Sequence, residues 1–364
     1  MRRRLVVGSV NKIRLGIIGA GNIGGVHIRE FSKLANLCEI TAITDTYLPL
    51  AEARAEEHGI AHVAATPEEL IHSANVDAVI IGVPNQYHAS LAVQAIEAGK
   101  HVLIEKPMGI NAEAAKQIYK ASEASDRVVM IGHQMRWEAV PQLIKEQVDA
   151  GELGKIYTAK TGWFRRKGIP GWGTWFTKMN ESGGGPLIDI GVHMLDLALY
   201  LMGNPKPVSV FGATYAEFGP RKKGIGTWGK PNWNGTYDVE DLATALIRME
   251  DGSTLTLEVS WAVHMDTDNT PFIHLMGSEG GASYKGASGK LLTEKFNRAI
   301  ETDLKKPEDD EGERLRLSLH FLDCITQGKQ PITSALSGYT NNLILDAIYE
   351  SSRTGNEVKL NWDI

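Results

Sequence analysis

Three side chains able to move a proton or hold an oxyanion stand at motif spacings in this chain. Lys106 lies in Glu105-Lys106-Pro107, and Asp189 and His193 are four residues apart. A lysine can steady a developing alkoxide, and a histidine can exchange a proton with an alcohol near neutral pH. An aspartate beside them would position the substrate or the imidazole. Lys106 follows His101 to Ile104, a run with the look of a buried strand, so the charged pair is delivered at the carboxyl end of a strand, where open α/β sheets bind ligands. A surface salt bridge is the plain alternative. Asp189 and His193 follow Gly183-Gly184-Gly185-Pro186, whose proline suits a first helical turn. On a regular helix from Leu187 to Met202, Asp189, His193 and Asp196 share one face. A buried polar pair that only caps the helix is the alternative here.

These residues need a cofactor or a partner, and the amino-terminal third offers one. Ile13 to Ile18 reads as a strand that ends in Gly19-Ala20-Gly21-Asn22-Ile23-Gly24 and feeds a helix. Gly19 permits the tight turn, Gly21 lets the backbone approach a pyrophosphate, and Gly24 allows close helix packing. A second strand, Glu39 to Thr44, ends in Asp45 at the spacing where an acid binds a ribose diol. Thr46 and Tyr47 follow, with no arginine for a 2'-phosphate, so the expected cofactor is NAD rather than NADP. Asp45 as a simple helix cap is the competing reading. Pro84 and Asn85 end another strand at the same edge, where Asn85 either reaches the cofactor or caps a helix. His27 reads as a packed or surface side chain, and His88 as a structural one, rather than as ligands.

Strands and helices alternate through Ala78 to Val83, Tyr87 to Ala98, His101 to Ile104, Asn111 to Ser125 and Val128 to Gly132. That alternation predicts a doubly wound parallel sheet over residues 1–135. Residues 136–364 read as an α+β domain for substrate binding and oligomerisation, with a large open, mostly antiparallel sheet. Its strands are expected at Lys155 to Phe164, Val208 to Phe218, Leu242 to Met249, Ser253 to Ala262 and Phe272 to Gly277, with an Asp251-Gly252 hairpin. The one long apolar helix can cover a single face, so a homodimer or homotetramer is expected on the other. Gly219 to Asp238, with Trp228 and Trp233, reads as a binding arm or lid. Two carboxyl-terminal helices, Arg314 to Gln327 and Gly338 to Arg353, and a short strand at Val358 to Leu360 close the chain; the helices can pack back on the first domain.

The 364 residues carry a formal charge of -6, with 43% hydrophobic and 23% charged residues, which gives no basic footprint for nucleic acid. No apolar run approaches the ~20 residues that span a bilayer, so no membrane association is expected. Arg2 to Arg4 before Leu5 to Val7 imitate an export signal but stop at Gly8 and Ser9. Two distant cysteines, Cys38 and Cys324, fit a reducing, cytoplasmic setting and no metal site.

Together, Gly19 to Gly24, Asp45, Ala98-Gly99-Lys100-His101-Val102 running into Glu105-Lys106-Pro107, and Gly183 to Asp196 with its Asp-x3-His spacing resemble the Gfo/Idh/MocA family over nearly the whole chain. The resemblance implies a Rossmann domain, an open-sheet α/β domain, and NAD(P)-dependent oxidation of sugars, cyclitols or related alcohols. It makes Lys106 the catalytic lysine, Asp189 the substrate-contacting aspartate and His193 the proton-transferring histidine. The cofactor set is then Gly19, Gly21, Asn22, Ile23, Gly24, Asp45, Pro84, Asn85, Glu105 and Lys106. The substrate set is Lys106, Arg136, Trp163, Trp172, Trp175, Asp189 and His193, since aromatic faces suit a sugar ring. The same tryptophans would also suit subunit packing. Arg165, Arg166 and Lys167 could hold a phosphate or carboxylate, or be a solvated run, and Arg136 faces the same choice. Net glycoside cleavage with recycled NAD, and a sensor that only binds dinucleotide and sugar, are the rival functions.

Overall fold

The computed structural model describes residues 12–308 and 310–363, so the arginine-rich opening of the chain lies outside the described residues. The first domain alternates strand and helix: β1 (Ile13–Ile18), α1 (Asn22–Ser32), β2 (Cys38–Thr44), α2 (Leu48–His58), β3 (His62–Val63), α3 (Pro67–His72), β4 (Ala78–Ile81), α4 (His88–Glu97), β5 (His101–Ile104), α5 (Ala112–Glu123) and β6 (Val129–Ile131). All six strands are parallel, in the order β3-β2-β1-β4-β5-β6. Every residue of β4 is buried, as a strand covered by helices on both faces requires. Each such Val or Ile side chain contributes about 1.5–3 kcal/mol by burial. The strand order reverses between β1 and β4, which opens a crevice at their carboxyl ends.

The second domain adds α6 (Ala139–Asp149), β7 (Ile156–Phe164), the single turn α7 (Met179–Ser182), α8 (Val192–Leu201), β8 (Pro207–Tyr215), β9 (Leu242–Met249), β10 (Thr254–Ser260), β11 (Thr270–Gly277), β12 (Gly280–Lys285), β13 (Ser288–Lys295), β14 (Arg298–Lys305), α9 (Glu313–Gln327), α10 (Ala335–Thr354) and β15 (Val358–Lys359). Nine strands form one sheet in the order β14-β13-β12-β11-β7-β10-β9-β8-β15. Only β7 and β10 pair in parallel. The Asp251-Gly252 hairpin forms, with Gly252 at φ +85° and Met249 N–H bonded to the Ser253 carbonyl. The expected boundary at 135/136 falls in a short turn, Gln134–Trp137, between the two sheets.

Three strands of the second domain were not expected. β12, β13 and β14 extend the sheet; in β13 only alternate residues are covered, among them Gly289 and Thr293, and β14 is nearly all exposed, so neither sequence shows the apolar alternation that marks a half-buried strand. The carboxyl-terminal helices return to the first domain: α9 packs on α1 and α10 on α5, while α10 also covers β8. Thr333 Oγ1 bonds the Ile131 carbonyl, so the return is locked to β6. By length and composition, Met179–Leu201 could cross a bilayer; 89% of its apolar window is buried inside the protein.

The helix expected at Leu187 begins instead as a π turn, Leu187–Gly191, before α8. The π turn lies before both His193 and Asp196, which are three residues apart on regular α8. Asp189 and His193 line the crevice, whereas Asp196 turns inward to Arg136.

Candidate active site

The carboxyl ends of β1, β2, β4 and β5 and the start of α8 converge on a cleft of about 1020 Å³. On the first-domain side, Gly19 sits at φ +101°, and a Cβ there would lie 2.6 Å from the Gly82 carbonyl oxygen. A Cβ on Gly24 would meet the Gly19 oxygen at 1.9 Å, so the turn closes only with glycine. Gly21 has nothing within 4 Å of a would-be Cβ, and no side chain caps the amino end of α1. That pairing of open space with uncapped N–H groups is a cradle for a pyrophosphate. Asp45 is fixed beside it, its Oδ2 accepting from Ala20 N–H (2.7 Å) and its Oδ1 from Tyr47 N–H (2.8 Å). These bonds exceed a helix cap: they tie the β2 end to the glycine turn and hold the carboxylate on the cleft wall, as a ribose diol requires.

Asn22, Ile23, Pro84, Asn85, Glu105 and Lys106 line the same cleft. Asn85 is buried and its amide donates to the Ser182 carbonyl (2.7 Å), stitching the two domains together across the cleft floor. Glu105 is also buried; it accepts from His27 Nε2 (2.8 Å) and from Lys106 N–H (3.2 Å). Burial pushes its carboxyl up, but His27, Arg314 and Lys106 outweigh this and bring it down to about 2. His27 and His88 are packed side chains. The His88 ring nitrogens lie 2.8 and 2.9 Å from the carbonyls of Pro107 and Val83, bracing the turn after Lys106, whose bond to Pro107 is cis.

Lys106 Nζ donates to the Asp189 carbonyl (2.8 Å) and to Asp189 Oδ1 (3.1 Å). Trp261 Nε1–H donates to the other carboxylate oxygen (3.0 Å). Burial raises the Asp189 carboxyl, yet Lys106, Arg165 and Trp261 reverse the shift and hold it lowered. Asp189 therefore aims the lysine and makes no bond to the imidazole. His193 is 7% exposed, its Nδ1 is buried without a partner, and its Nε2 is the ring nitrogen left to the cleft. Burial, then the charges of Lys106, His133, Arg314 and Arg165, hold it well below the usual histidine range. A neutral imidazole and an aimed ammonium thus face one space: a proton acceptor beside a cation.

Four expected substrate residues divide unevenly. Trp175 lines the cleft. Arg136 does not: it is 2% exposed, and its guanidinium bonds both oxygens of Asp196 (2.6 and 2.7 Å) and the Ile332 carbonyl (2.6 Å). Trp163 lies outside the cleft on β7, with Arg165 over its ring at 4.8 Å and its Nε1 bonded to Asn269. Trp172 is buried behind the cleft wall, stacked on Trp233 and Tyr237, its Nε1 donating to the Gly219 carbonyl (2.8 Å).

Residues 13–133 match the family model described as "Oxidoreductase family, NAD-binding Rossmann fold", and residues 142–283 match "GFO/IDH/MocA C-terminal domain". The D-glucoside 3-dehydrogenase of Escherichia coli (strain K12) is 32% identical over 96% of this chain and 97% of its own. The chain belongs to the Gfo/Idh/MocA family. As a member it is an oxidoreductase acting on CH–OH groups, and its first domain is the NAD-binding one. The scyllo-inositol 2-dehydrogenase (NAD(+)) of Bacillus subtilis (strain 168) is 25% identical over 96% of this chain and 97% of its own. The fold matches levoglucosan dehydrogenase solved with NADH and levoglucosan, with a TM-score of 0.87, 23% identity, and coverage of 96% of this chain and 100% of that one.

Sequence reasoning missed three residues of this Gfo/Idh/MocA site. Arg314, on α9, lines the cleft 3.8 Å from Glu105 Oε1. Trp261 grips Asp189 from just past β10. Glu240, fully buried, accepts from Gly185 N–H (2.9 Å), Leu187 N–H (3.0 Å) and the Tyr349 hydroxyl (3.0 Å), and so fixes the start of the π turn. None belongs to a spaced motif; each reaches the site only through the tertiary fold.

Proposed function

We propose that the protein is an NAD-dependent dehydrogenase that oxidises a secondary hydroxyl of a sugar, glycoside or cyclitol. The observation that carries this reading is one cleft holding both the glycine turn with Asp45 and the Lys106, Asp189 and His193 group. Bound NAD would supply the hydride acceptor. Gly21 and the open amino end of α1 would hold its pyrophosphate, and Asp45 its ribose. His193 Nε2 takes the hydroxyl proton, for which a neutral ring is needed, and Lys106, aimed by Asp189, steadies the alkoxide as hydride departs from the same carbon. The names of the relatives support a neutral, hydroxyl-rich substrate: a glucoside, an inositol, levoglucosan. The buried free thiols Cys38 and Cys324 suit a reducing cytoplasm.

Initial rates followed at the NADH absorbance, over glucosides, free hexoses and inositols with NAD and NADP, test this reading. NADH formation with at least one class and preference for NAD are expected. Preference for NADP would remove the role given to Asp45. A folded Lys106→Ala protein should bind NAD and turn over at less than about a hundredth of the wild-type rate; unimpaired turnover would sink the mechanism. Sugar cleavage without net NADH would identify a glycoside-cleaving cycle instead.

A further inference from the structure

Trp228 is 51% exposed, yet its ring lies on the cleft wall. It meets Phe176 edge-on, with centroids 4.7 Å apart and planes at 87°, and Phe176 lies against Trp175 at 3.8 Å. All three line the cleft. A lone exposed apolar side chain needs no explanation, but three contiguous rings facing one cavity do.

The rings are held in place by backbone, without packing into a core. Two irregular segments, 168–176 and 224–233, are laced together by main-chain bonds: Ile169 N–H to Gly224 O (3.0 Å), Gly226 N–H to Ile169 O (2.9 Å), Gly171 N–H to Trp228 O (2.9 Å) and Asn232 N–H to Trp172 O (2.7 Å). The approach is close enough that a Cβ on Gly229 would lie 3.1 Å from Gly171. Behind them the Trp172, Trp233 and Tyr237 stack supports the wall. Such bracing gives a preorganised aromatic surface that stays solvent-open at low entropic cost on binding. The cofactor grip described above comes from the first domain, whereas this wall comes from the same domain as Asp189 and His193. That placement favours an extension of the substrate over the cofactor as its ligand.

We propose that Trp175, Phe176 and Trp228 form a subsite for the aglycone of a glycoside, and that the aglycone is an aromatic ring. This rests on the reading of the site as a sugar dehydrogenase. The oxidised sugar sits at Lys106 and His193, and the ring attached to it lies on Trp228. Offset or edge-on packing of aromatic faces fits the right-angled Trp228 and Phe176 pair, which offers a face and an edge to one guest.

The test compares methyl and phenyl glucosides, of both anomeric configurations, as substrates with NAD. Wild type should show a lower KM for the phenyl glucoside. Trp228→Ala should raise that KM by about tenfold, the value of one lost aromatic contact, with the KM for methyl glucoside held within about twofold and that for NAD unchanged. Trp228→Phe should recover most of the loss. Equal rises for both glucosides would overturn the subsite, since a general distortion of the cleft would act on both. A rise confined to NAD would overturn it by assigning the wall to the cofactor, and a rise seen with cellobiose but not phenyl glucoside would replace the aromatic ring by a second sugar. Oxidation of free hexoses or inositols with neither glucoside accepted would overturn the aglycone proposal while leaving the dehydrogenase reading intact.

Discussion

Arg136 and Lys106 were both expected to serve the substrate, and the fold uses them in opposite ways. Lys106 keeps 19% of its side chain exposed and shares its charge with Asp189 at the cleft wall. Arg136 is sealed against Asp196, which also accepts from Asn341 (2.9 Å), while Tyr200 lies under the guanidinium at 4.9 Å. Removing one member of such a buried pair leaves the other charge unsatisfied. Arg136→Ala should therefore lose about 3–5 kcal/mol in chemical denaturation, with the KM for sugar in the surviving enzyme little changed. Wild-type stability with a raised sugar KM would return Arg136 to the substrate. Sequence alone identifies both as cations beside a motif; it does not say which is desolvated, because that depends on Asp196 sixty positions away.

At the scale of elements, the π turn before α8 is the decisive local feature. It carries Asp189 into the cleft just ahead of His193, the first-turn residue of α8 that shares the cleft with it. Glu240 holds that turn by two backbone N–H bonds, and Asp241 beside it accepts from Glu217, Phe218 and Gly219 at the root of the tryptophan-bearing segment. Consecutive carboxylates thus anchor the start of α8 and the aromatic wall together. Glu240→Gln replaces an acceptor with an amide that cannot serve both N–H groups, which costs about 1–3 kcal/mol for an unsatisfied buried donor. The expected result is a kcat lowered by about tenfold through misaimed Asp189 and His193, with NAD affinity, read by fluorescence titration, unaltered. An unchanged kcat would show that the turn holds its shape without Glu240.

For the whole molecule, the nine-stranded sheet has one face under α8 and α10 and an outer face that carries Phe211, Tyr215 and Leu246, all exposed. Phe211 and Leu246 are register partners on β8 and β9, so their side chains lie side by side. An apolar strip on an open sheet is the expected seat of a second copy. Light scattering after size exclusion should give a dimer or tetramer for the wild type and a smaller species for Leu246→Glu. A wild-type monomer would refute this use of the face.

The sequence by itself determined what depends on neighbours along the chain. The glycine turn, the charged turn after β5 and the Asp-x3-His spacing are local demands of backbone shape and side-chain chemistry, and the parallel sheet follows from continuous apolar runs that water cannot reach. It also supports the family assignment that the comparisons establish. Only the tertiary structure decided the pairings between distant residues: Glu105 with His27 and Arg314, Asp189 with Trp261, Glu240 with Gly185, and Arg136 with Asp196. A charge or ring has the same identity wherever it lies in the chain. Its partner, and hence its desolvation and its proton affinity, is set when packing brings the two together, and that placement alone separates Trp175 at the cleft from Trp172 behind its wall.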